Sequence, residues 1–517
     1  MRQNFDSGKY KDKFSINMNI SAPIYCALKK YSEQIITPFH MPGHKMGKGL
    51  PACFMEDLAR IDVTELPDTD NLHFPEGIIR EAQELAAKAY GAQKTYFLVN
   101  GSSCGIHASI MTACKPGDKV IVTRDCHRSV IGGIILADAE PVYVNIEFDD
   151  LFGIPALVNP EKIEKAMADN PEAAAVIITR PNYYGICCDV SKIADIVHSY
   201  GKLLIVDEAH GAHLKFSSEL PVSSIDAGAD ICIQSAHKTL PAFTQGAYLH
   251  VKSERVDIER LEFNLRLLQT TSPSFIIMAS LDMARWIMEC FGEELLGEVI
   301  KNAERLRKEI NESECFVPLS EEHVSSLAAG RLAGKLLDKT RLVFNSRNIG
   351  VTGYKIAEIL RKEFKIQVEM ADMFNIVCIS TISDREEDFE RLYLALTEMP
   401  DLVAGMKREM LKENINENSN DLGFIDMQIL NNLKNLPEPR QAMKPGDACK
   451  TRGKKVKLGD SAGKISRNFI VPYPPGIPVT CPGEIITDEV IGYISSIIRY
   501  RGMVNGVDKN LMVDIIE

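Results

Sequence analysis

Two clusters of reactive side chains follow short apolar runs in the middle of the chain. The run from Leu203 to Val206 is followed by Asp207, Ala209 and His210. The run from Ile231 to Ile233 is followed by Ser235, His237 and Lys238. Such runs indicate buried parallel strands, and sheets of this kind bind ligands at the carboxyl ends of their strands. The two clusters are therefore expected to face one crevice.

The lysine and the aspartate of these clusters are the residue types that pyridoxal 5′-phosphate (PLP) requires. Lys238 can form a Schiff base with the cofactor aldehyde, and Asp207, 31 residues earlier, can keep the pyridine nitrogen protonated so that the ring accepts electrons. A dry site beside other cations would lower the pKa of the lysine. The alternative is a helix cap and a surface charge, the usual roles of these residue types. The neighbouring Ser235 and His237 favour the cofactor site.

A glycine-flanked pair of serines suggests a place for the cofactor phosphate. The strand predicted at Tyr96 to Val99 is followed by Asn100-Gly101-Ser102-Ser103-Cys104-Gly105, which opens a predicted helix. A helix start presents free backbone N–H groups and the positive end of the helix dipole to an anion. Taken singly, Gly-Ser-Ser is usually an N-cap. Its position upstream of Asp207 and Lys238 favours the phosphate site.

The sequences DEAHGAH and SAHKTLPAFTQGA closely resemble those of the Orn/Lys/Arg decarboxylases, a PLP-dependent family with the aspartate aminotransferase fold. The resemblance extends from about Tyr31 to about Glu489. It includes the C-terminal PYPPGIP followed by PGE, which ordinary aminotransferases lack. The chain resembles the shorter members of the family, those without an N-terminal wing domain.

The resemblance implies roles for individual residues. The implied catalytic residues are Lys238, Asp207, His127 and His237, with His127 stacked on the cofactor ring. The implied cofactor-binding residues are Ser102, Ser103, Cys104, His127, Asp207, Ala209, His210, Ser235, His237, Lys238 and Thr271. Thr271 belongs to a segment expected to reach across a homodimer to the phosphate of the partner subunit. The segment TPFHMPGHK, residues 37–45, is expected to assist dimer assembly.

Length and the resemblance together predict the domain organisation. A chain of 517 residues is too long for one ordinary core. We expect an α/β protein of PLP fold type I, whose large domain contains a mostly parallel sheet. The expected parts are an N-terminal arm or dimerisation segment at 1–50, a PLP-binding large domain at 51–300, a small α/β domain at 301–410 and a C-terminal decarboxylase domain at 421–517. Residues 412–420 are a predicted linker.

The composition of the chain indicates which kinds of partner it binds. The formal charge of −12 disfavours nucleic acid and mildly favours cationic small molecules. The 13 cysteines contain no CxxC pair, so no metal site is expected. An apolar targeting segment and a membrane-spanning run are both absent from the sequence, which predicts a cytoplasmic protein with reduced thiols and no membrane partner.

Glu484, at the end of the proline-rich loop, is a candidate for reading the distal positive charge of a basic substrate. Five prolines between Pro472 and Pro482 stiffen this loop, which could hold a carboxylate at a fixed distance from the cofactor. The alternative is a surface glutamate that caps the helix predicted to start near Thr487.

The leading hypothesis is PLP-dependent decarboxylation of a basic L-amino acid, with L-arginine, giving agmatine for polyamine synthesis, favoured over lysine and ornithine. An aminotransferase is a second interpretation of the same fold. That activity would need a fixed arginine for the substrate carboxylate, and residues 375–380 contain none. A third interpretation is a PLP-binding regulator without turnover, which no sequence feature supports. A homodimer with shared active sites, or a higher oligomer, is expected.

Overall fold

The structure is a computed structural model that describes residues 22–328, 334–412, 437–473 and 476–517, without the side chains of 410–412. Its contacts divide the chain into two compact units, 1–37 and 38–517. The first unit contains helix α1, Pro23–Ser32, none of whose side chains is fully buried. Strand β1 comprises Thr37–Phe39. Most of the predicted linker, together with Pro474 and Pro475 of the proline-rich loop, lies outside the described residues.

The second unit contains a large α/β region. Its helices are α2 Ala52–Asp57, α3 Ile78–Tyr90, α4 Gly101–Ala113, α5 Arg128–Leu136, α6 Pro160–Asp169, α7 Val190–Ser199, α8 Ala236–Thr239, α9 Ile258–Leu268 and α10 Phe275–Glu312. Its strands are β2 Lys94–Leu98, β3 Lys119–Thr123, β4 Glu140–Val144, β5 Phe148–Asp149, β6 Ile154–Pro155, β7 Ala175–Thr179, β8 Leu203–Asp207, β9 Ile231–Gln234 and β10 Ala247–Val251.

Seven of these strands form one sheet in the order β2-β10-β9-β8-β7-β3-β4. The strands from β9 to β4 pair in parallel, whereas β10 runs antiparallel to both β9 and β2. The apolar runs in β8 and β9 are buried, with Leu204 and Ile231 fully inaccessible. Helices on both faces bury such strands, and this explains why the runs do not alternate with polar residues. The prediction of a mostly parallel α/β sheet is confirmed.

A smaller α/β region follows the long helix α10. Its strands are β11 Val317–Pro318, β12 Arg341–Asn345, β13 Ile366–Val368, β14 Met370–Ala371 and β15 Asn375–Ile379. Its helices are α11 Glu321–Ala328, α12 Gly353–Lys362 and α13 Glu386–Lys412. Strands β11, β12, β15 and β14 form an antiparallel sheet in that order. Phe344 and Phe389 are central to its buried core.

The C-terminal region has a core of its own. It contains α14 Pro445–Lys450, β16 Gly453–Lys457, β17 Val471–Pro472, α15 Asp488–Arg499, β18 Val504–Asn505 and β19 Met512–Ile516. Strand β16 pairs antiparallel with β19, and β17 pairs with β18. The Thr487 side chain accepts a hydrogen bond from the Val490 N–H and so caps α15. Capping this helix was one of the two roles considered for Glu484, and Thr487 performs it instead.

Residues 38–50 connect the large and small α/β regions within one chain. The Gly43 N–H donates to the His237 carbonyl at 2.8 Å, and the Gly43 carbonyl accepts from the hydroxyls of Thr381 and Ser383, each at 2.8 Å. A Cβ added to Gly43 would lie 2.5 Å from the Leu240 carbonyl oxygen, so no side chain fits there. Lys45 is fully buried and donates to the Ile379 carbonyl at 2.7 Å. The expected role of this segment in dimer assembly stays a prediction.

Candidate active site

The carboxyl ends of β8 and β9 carry the two clusters that the sequence singled out. Asp207 is the last residue of β8 and lies opposite Ile233 of the parallel neighbour β9. Lys238 belongs to the short helix α8, which begins two residues after β9 ends. The Lys238 Nζ lies 3.0 Å from the Nε2 of His210, so the geometry joins the two clusters. Both stand on one edge of the sheet, as expected.

The hydrogen bonds of His210 indicate the protonation state of Lys238. Arg341 Nη2 lies 3.3 Å from His210 Nδ1. A guanidinium has only donors, so Nδ1 must accept in this contact and the ring proton must be on Nε2. The contact between Nε2 and Lys238 then requires the lysine amine to accept. An ammonium cannot accept a hydrogen bond, so the geometry matches an uncharged Lys238.

The electrostatic surroundings of Lys238 shift its amine towards the same neutral state. Burial lowers the pKa of its amine to about 8, while the Asp207 and Glu369 carboxylates oppose this shift and Arg341 adds to it. A free amine at neutral pH is a nucleophile, whereas an ammonium is not. Burial likewise lowers the pKa of His210 well below its usual value, with Lys238 and Arg341 contributing.

Asp207 is held inside the sheet edge as an acceptor for a buried donor. It is 2% exposed, and its Oδ1 accepts from the Ala209 N–H at 3.2 Å. Burial raises the pKa of this carboxyl, and the charge of Lys238 opposes the shift. A second positive charge facing Asp207, such as a protonated pyridine nitrogen, would stabilise its ionised form.

The serine pair lies at the start of a 13-residue helix, α4, beside the lysine cluster. The Ser235 hydroxyl donates to the Ser102 hydroxyl at 2.8 Å, which joins the predicted phosphate loop to the residue that precedes α8. Ser103 and Cys104 complete the first turn, and Cys104 Sγ lies 3.0 Å from the Gly101 carbonyl oxygen. Burial raises the pKa of the Cys104 thiol to about 12, so this side chain stays neutral.

Two further histidines of the prediction lie in the same region. His127 caps α5, and its Nδ1 accepts from the Ser129 N–H at 3.2 Å. Burial, followed by the charge of Lys238, lowers the pKa of His127 to about 3. The His237 Nδ1 donates to the Gly246 carbonyl at 3.0 Å, and burial lowers its pKa to about 4. Both rings are therefore neutral above pH 5.

The C-terminal region reaches this site within the same chain. A Cβ added to Gly476, which has a φ of +91°, would lie 3.3 Å from Cδ2 of His127. The proline-rich loop thus passes against a predicted cofactor-stacking residue, and a glycine leaves room for the ring.

Glu484 does not occupy the expected position at a site mouth. Its side chain is 1% exposed, and its Oε2 accepts from Arg124 Nη2 at 2.8 Å and from the Cys481 N–H at 2.6 Å. Arg124 also lies over the Tyr143 ring, 4.7 Å from its centroid. This buried ion pair fixes the C-terminal region to the turn after β3. In this chain the carboxylate already has a cationic partner, so the expectation of a free substrate-reading group is corrected.

Thr271 lies apart from the cluster in one chain. It is exposed in the loop between α9 and α10. Its predicted partner is the phosphate of a second subunit, so its role stays a prediction.

Three residues that sequence reasoning missed complete the surroundings of Lys238. The Tyr183 ring packs edge-on against His210 with centroids 4.6 Å apart, and its hydroxyl donates to Glu369 Oε1 at 2.6 Å. Arg341 enters from β12, where it lies opposite Ile379 of β15. Arg341 lies outside residues 375–380, on the strand that pairs with them. The signal available in the sequence was a charged residue directly before the apolar run Leu342 to Phe344.

The donor set fits PLP. A lysine amine of lowered pKa, a buried carboxylate and a helix start with two hydroxyls supply, in turn, a covalent link, a partner for a pyridine nitrogen and a phosphate cradle.

Comparison with known proteins agrees with the geometry. The Orn/Lys/Arg decarboxylase major domain matches residues 22–388, and the Orn/Lys/Arg decarboxylase C-terminal domain matches residues 428–511. The arginine decarboxylase of Bacillus subtilis (strain 168) is 36% identical over 477 residues, covering 91% of this chain and 92% of the relative. The constitutive lysine decarboxylase of Escherichia coli (strain K12) is 25% identical over 553 residues, with 91% and 76% covered.

Solved structures share the fold. The Francisella novicida lysine decarboxylase LdcF superposes with a TM-score of 0.75 at 21% identity, covering 96% of this chain and 81% of that one. The Sphingomonas wittichii serine palmitoyltransferase superposes with a TM-score of 0.55 at 15% identity, with 71% and 88% covered. The fold is that of type I PLP enzymes.

The matched domains define the protein more narrowly than the fold does. The chain belongs to the Orn/Lys/Arg decarboxylase family. It is a PLP-dependent decarboxylase that acts on a basic amino acid.

The lowered pKa of Lys238 predicts how the cofactor-free protein reacts with PLP. Attachment requires the uncharged amine, so its rate should rise with pH and level off above about 8, the pKa of this lysine. Asp207→Asn removes a carboxylate that raises this pKa, so the midpoint should move to lower pH. Stopped-flow absorbance of PLP attachment across pH measures both.

Lys238→Ala controls for attachment to other lysines in that experiment. A midpoint near 10 in the wild type, or an upward shift in Asp207→Asn, would contradict the electrostatic surroundings described for Lys238.

The buried ion pair predicts a structural role for Glu484. Glu484→Gln leaves Arg124 buried without its counter-charge, which typically costs about 3–5 kcal/mol of folding free energy. We expect a lower midpoint of thermal unfolding, with the KM for the substrate unchanged. Glu489→Gln, at an exposed position of α15, is the matched control. Unchanged stability with a raised KM would instead restore the substrate-reading role.

Proposed function

We propose that this protein decarboxylates L-arginine to agmatine and CO2. The observation that carries the proposal is its 36% identity, over 91% of its length, to the arginine decarboxylase of Bacillus subtilis (strain 168). Lysine and ornithine are the alternative substrates, and lysine has the support of the lysine decarboxylases that share the fold.

Different residues of the site bind different parts of the cofactor. Lys238 supplies the amine that holds the cofactor aldehyde carbon, and Asp207 lies where it can face the pyridine nitrogen. The start of α4, with Ser102 and Ser103, binds the phosphate together with Ser235. The bound cofactor supplies a protonated ring that takes up the electron pair left behind when the carboxylate departs as CO2.

Proton positions in the site follow from the hydrogen bonds described above. His210 keeps its proton on Nε2, directed at the Lys238 amine, because Arg341 occupies its Nδ1 side. Asp207 remains ionised when a pyridinium faces it, so the ring nitrogen keeps its proton. The Tyr183 ring packs against His210, and the C-terminal loop passes against His127.

The substrate proposal is tested by product identification. Holoenzyme incubated separately with arginine, lysine and ornithine should release agmatine with the highest kcat/KM, as measured by chromatography of the amines and by CO2 release. Lys238→Ala is the matched control and should release no amine. Higher kcat/KM for lysine or ornithine would overturn the arginine assignment and leave the family assignment intact.

The assembly is proposed to be a homodimer, or a higher oligomer, that shares its active sites. The proposal is supported by the resemblance of the segment around Thr271 to one that reaches a partner subunit. We also propose a cytoplasmic location and a role in polyamine synthesis. All 13 cysteines are unpaired, which suits a reducing compartment. Separately, none of the described helices is long and apolar enough to cross a membrane.

Shared sites predict complementation between inactive variants. If Thr271 serves the partner subunit, a hybrid of Lys238→Ala with an inactive Thr271→Ala subunit contains one intact site. Mixing these variants should restore part of the activity after subunit exchange. A mixture of Lys238→Ala with Asp207→Asn is the matched control, because both changes fall in the site of their own subunit. Equal activity of the two mixtures would contradict shared sites.

A further inference from the structure

A cavity of about 70 Å³ lies where the small α/β region, the C-terminal region and the hairpin of β5 and β6 meet. Lys238 and the residues that surround it do not line this cavity. A water molecule needs about 10–15 Å³ of such space, so the cavity has room for about five non-hydrogen atoms. Five aromatic side chains contribute to its walls, namely Phe148, Tyr184, Tyr354, Phe374 and Tyr493.

Asp372 contributes the single charged group among the described residues that line the cavity. Burial raises the pKa of this carboxyl, and hydrogen bonds from Asn375 and Tyr184 are among those that oppose the shift. The charge of Asp372 also acts on Tyr354 and Tyr493, where it adds to burial in raising the pKa of each hydroxyl. A carboxylate and aromatic rings therefore face one small space.

Arg347 is a cation close to this cavity, but it does not pair with Asp372. Its guanidinium lies over the Phe374 ring, 3.9 Å from the centroid, and its Nη1 donates to the Asp150 carbonyl at 2.9 Å. Burial lowers the pKa of Arg347, and the charges of Asp372, Asp149 and Asp150 oppose that shift. No ion pair joins Arg347 to Asp372 within the described ranges, and Arg347 does not line the cavity. The space beside Asp372 is thus left for another cation.

The hydrogen bonds that Asp372 already accepts indicate which kind of cation fits. Its Oδ1 accepts from the N–H groups of Phe374 and Asn375, each at 2.8 Å, and its Oδ2 accepts from the Tyr184 hydroxyl at 2.9 Å. Its contribution to a ligand is therefore mainly charge. A metal ion needs several oxygen ligands, and no cluster of acidic, histidine or cysteine side chains in the described part of the chain could hold one. Aromatic faces instead attract organic cations, which need no hydrogen bond.

We propose that this cavity binds the positively charged head of a small organic cation, an alkylammonium or an alkylguanidinium, between Asp372 and the aromatic walls. Room for about five non-hydrogen atoms admits such a head with the first carbons of its chain. The amines released by decarboxylation of basic amino acids belong to this chemical class. The proposal holds for any of the three candidate substrates, because it concerns a site apart from Lys238.

Two adjacent tyrosines connect this cavity with the catalytic cluster. Tyr184 donates to Asp372, whereas the Tyr183 hydroxyl donates to Glu369 at 2.6 Å and its ring packs against His210. A cation beside Asp372 therefore lies one residue along the chain from a side chain that contacts the cluster. The same arrangement provides two comparable carboxylates, one in each site.

The test titrates tetramethylammonium into the PLP-loaded enzyme and measures binding by saturation-transfer NMR. This ion has five non-hydrogen atoms and no N–H, so it cannot form a Schiff base with the cofactor. The uncharged tert-butanol has the same number of non-hydrogen atoms and serves as the neutral probe. In Asp372→Asn the Kd of tetramethylammonium should rise about 10- to 100-fold, the effect of one close carboxylate in a partly buried site. The binding of tert-butanol should not change.

Tyr493→Leu provides a second variant, which removes an aromatic face and keeps an apolar wall. It should raise the Kd of tetramethylammonium about 3- to 30-fold, the usual range for a cation–π contact, with tert-butanol again unaffected. Thermal unfolding and PLP absorbance establish that each variant is folded and loaded. Asparagine can accept the same backbone hydrogen bonds as Asp372, so the turn is expected to persist.

Glu369→Gln is the matched control, because this carboxylate also accepts from a tyrosine hydroxyl but acts on Lys238. It should leave the binding of tetramethylammonium unchanged. Loss of binding in Glu369→Gln but not in Asp372→Asn would place the ion in the catalytic cluster and overturn the proposal. Failure of the wild type to bind the ion, or equal affinity in the wild type, Asp372→Asn and Tyr493→Leu, would overturn it as well. None of these measurements requires turnover, so they are independent of the substrate assignment.

Discussion

The site depends on lowering the pKa of one lysine inside a protein that surrounds it with charge. Burial favours the neutral amine of Lys238, the carboxylates of Asp207 and Glu369 oppose it, and Arg341 favours it again. The hydrogen bonds give an independent argument, since His210 cannot accept from Arg341 and from an ammonium at once. A pKa of about 8 leaves a fraction of the amine uncharged near neutral pH, and the donor geometry matches that uncharged form. The uncharged lysine can attack a carbonyl.

Much of this arrangement could be predicted from the order of residues, because parallel strands deliver consecutive clusters to one edge. The apolar runs before Asp207 and Ser235 are continuous, which indicates burial on both faces, and the structure places both in the central sheet. The serine pair after β2 was recognisable because a helix start follows it directly. These signals are local, so a sequence carries them without knowledge of the fold.

Two of the missed residues, Arg341 and Glu369, share the opposite property, since each reaches the site from a remote part of the chain. Arg341 is 131 residues from His210, and Glu369 is 186 residues from Tyr183. Their placement depends on how the small antiparallel sheet packs against the large one, which strand patterns do not reveal. The prediction for Glu484 was wrong for a related reason. Its loop suggested an exposed carboxylate, whereas Arg124, 360 residues earlier, pairs with it in the interior.

Gly43 joins the large and small regions through its backbone. Its N–H is bonded to the turn that carries Lys238, and its carbonyl is bonded to two hydroxyls that follow the last strand of the small region. The Leu240 carbonyl fills the space that a side chain would need. A rotation of the small region relative to the sheet would strain or break these three hydrogen bonds. Arg341 lies in the small region and Lys238 at the edge of the large sheet, so a rotation between the two regions would alter the contacts that His210 makes with both side chains.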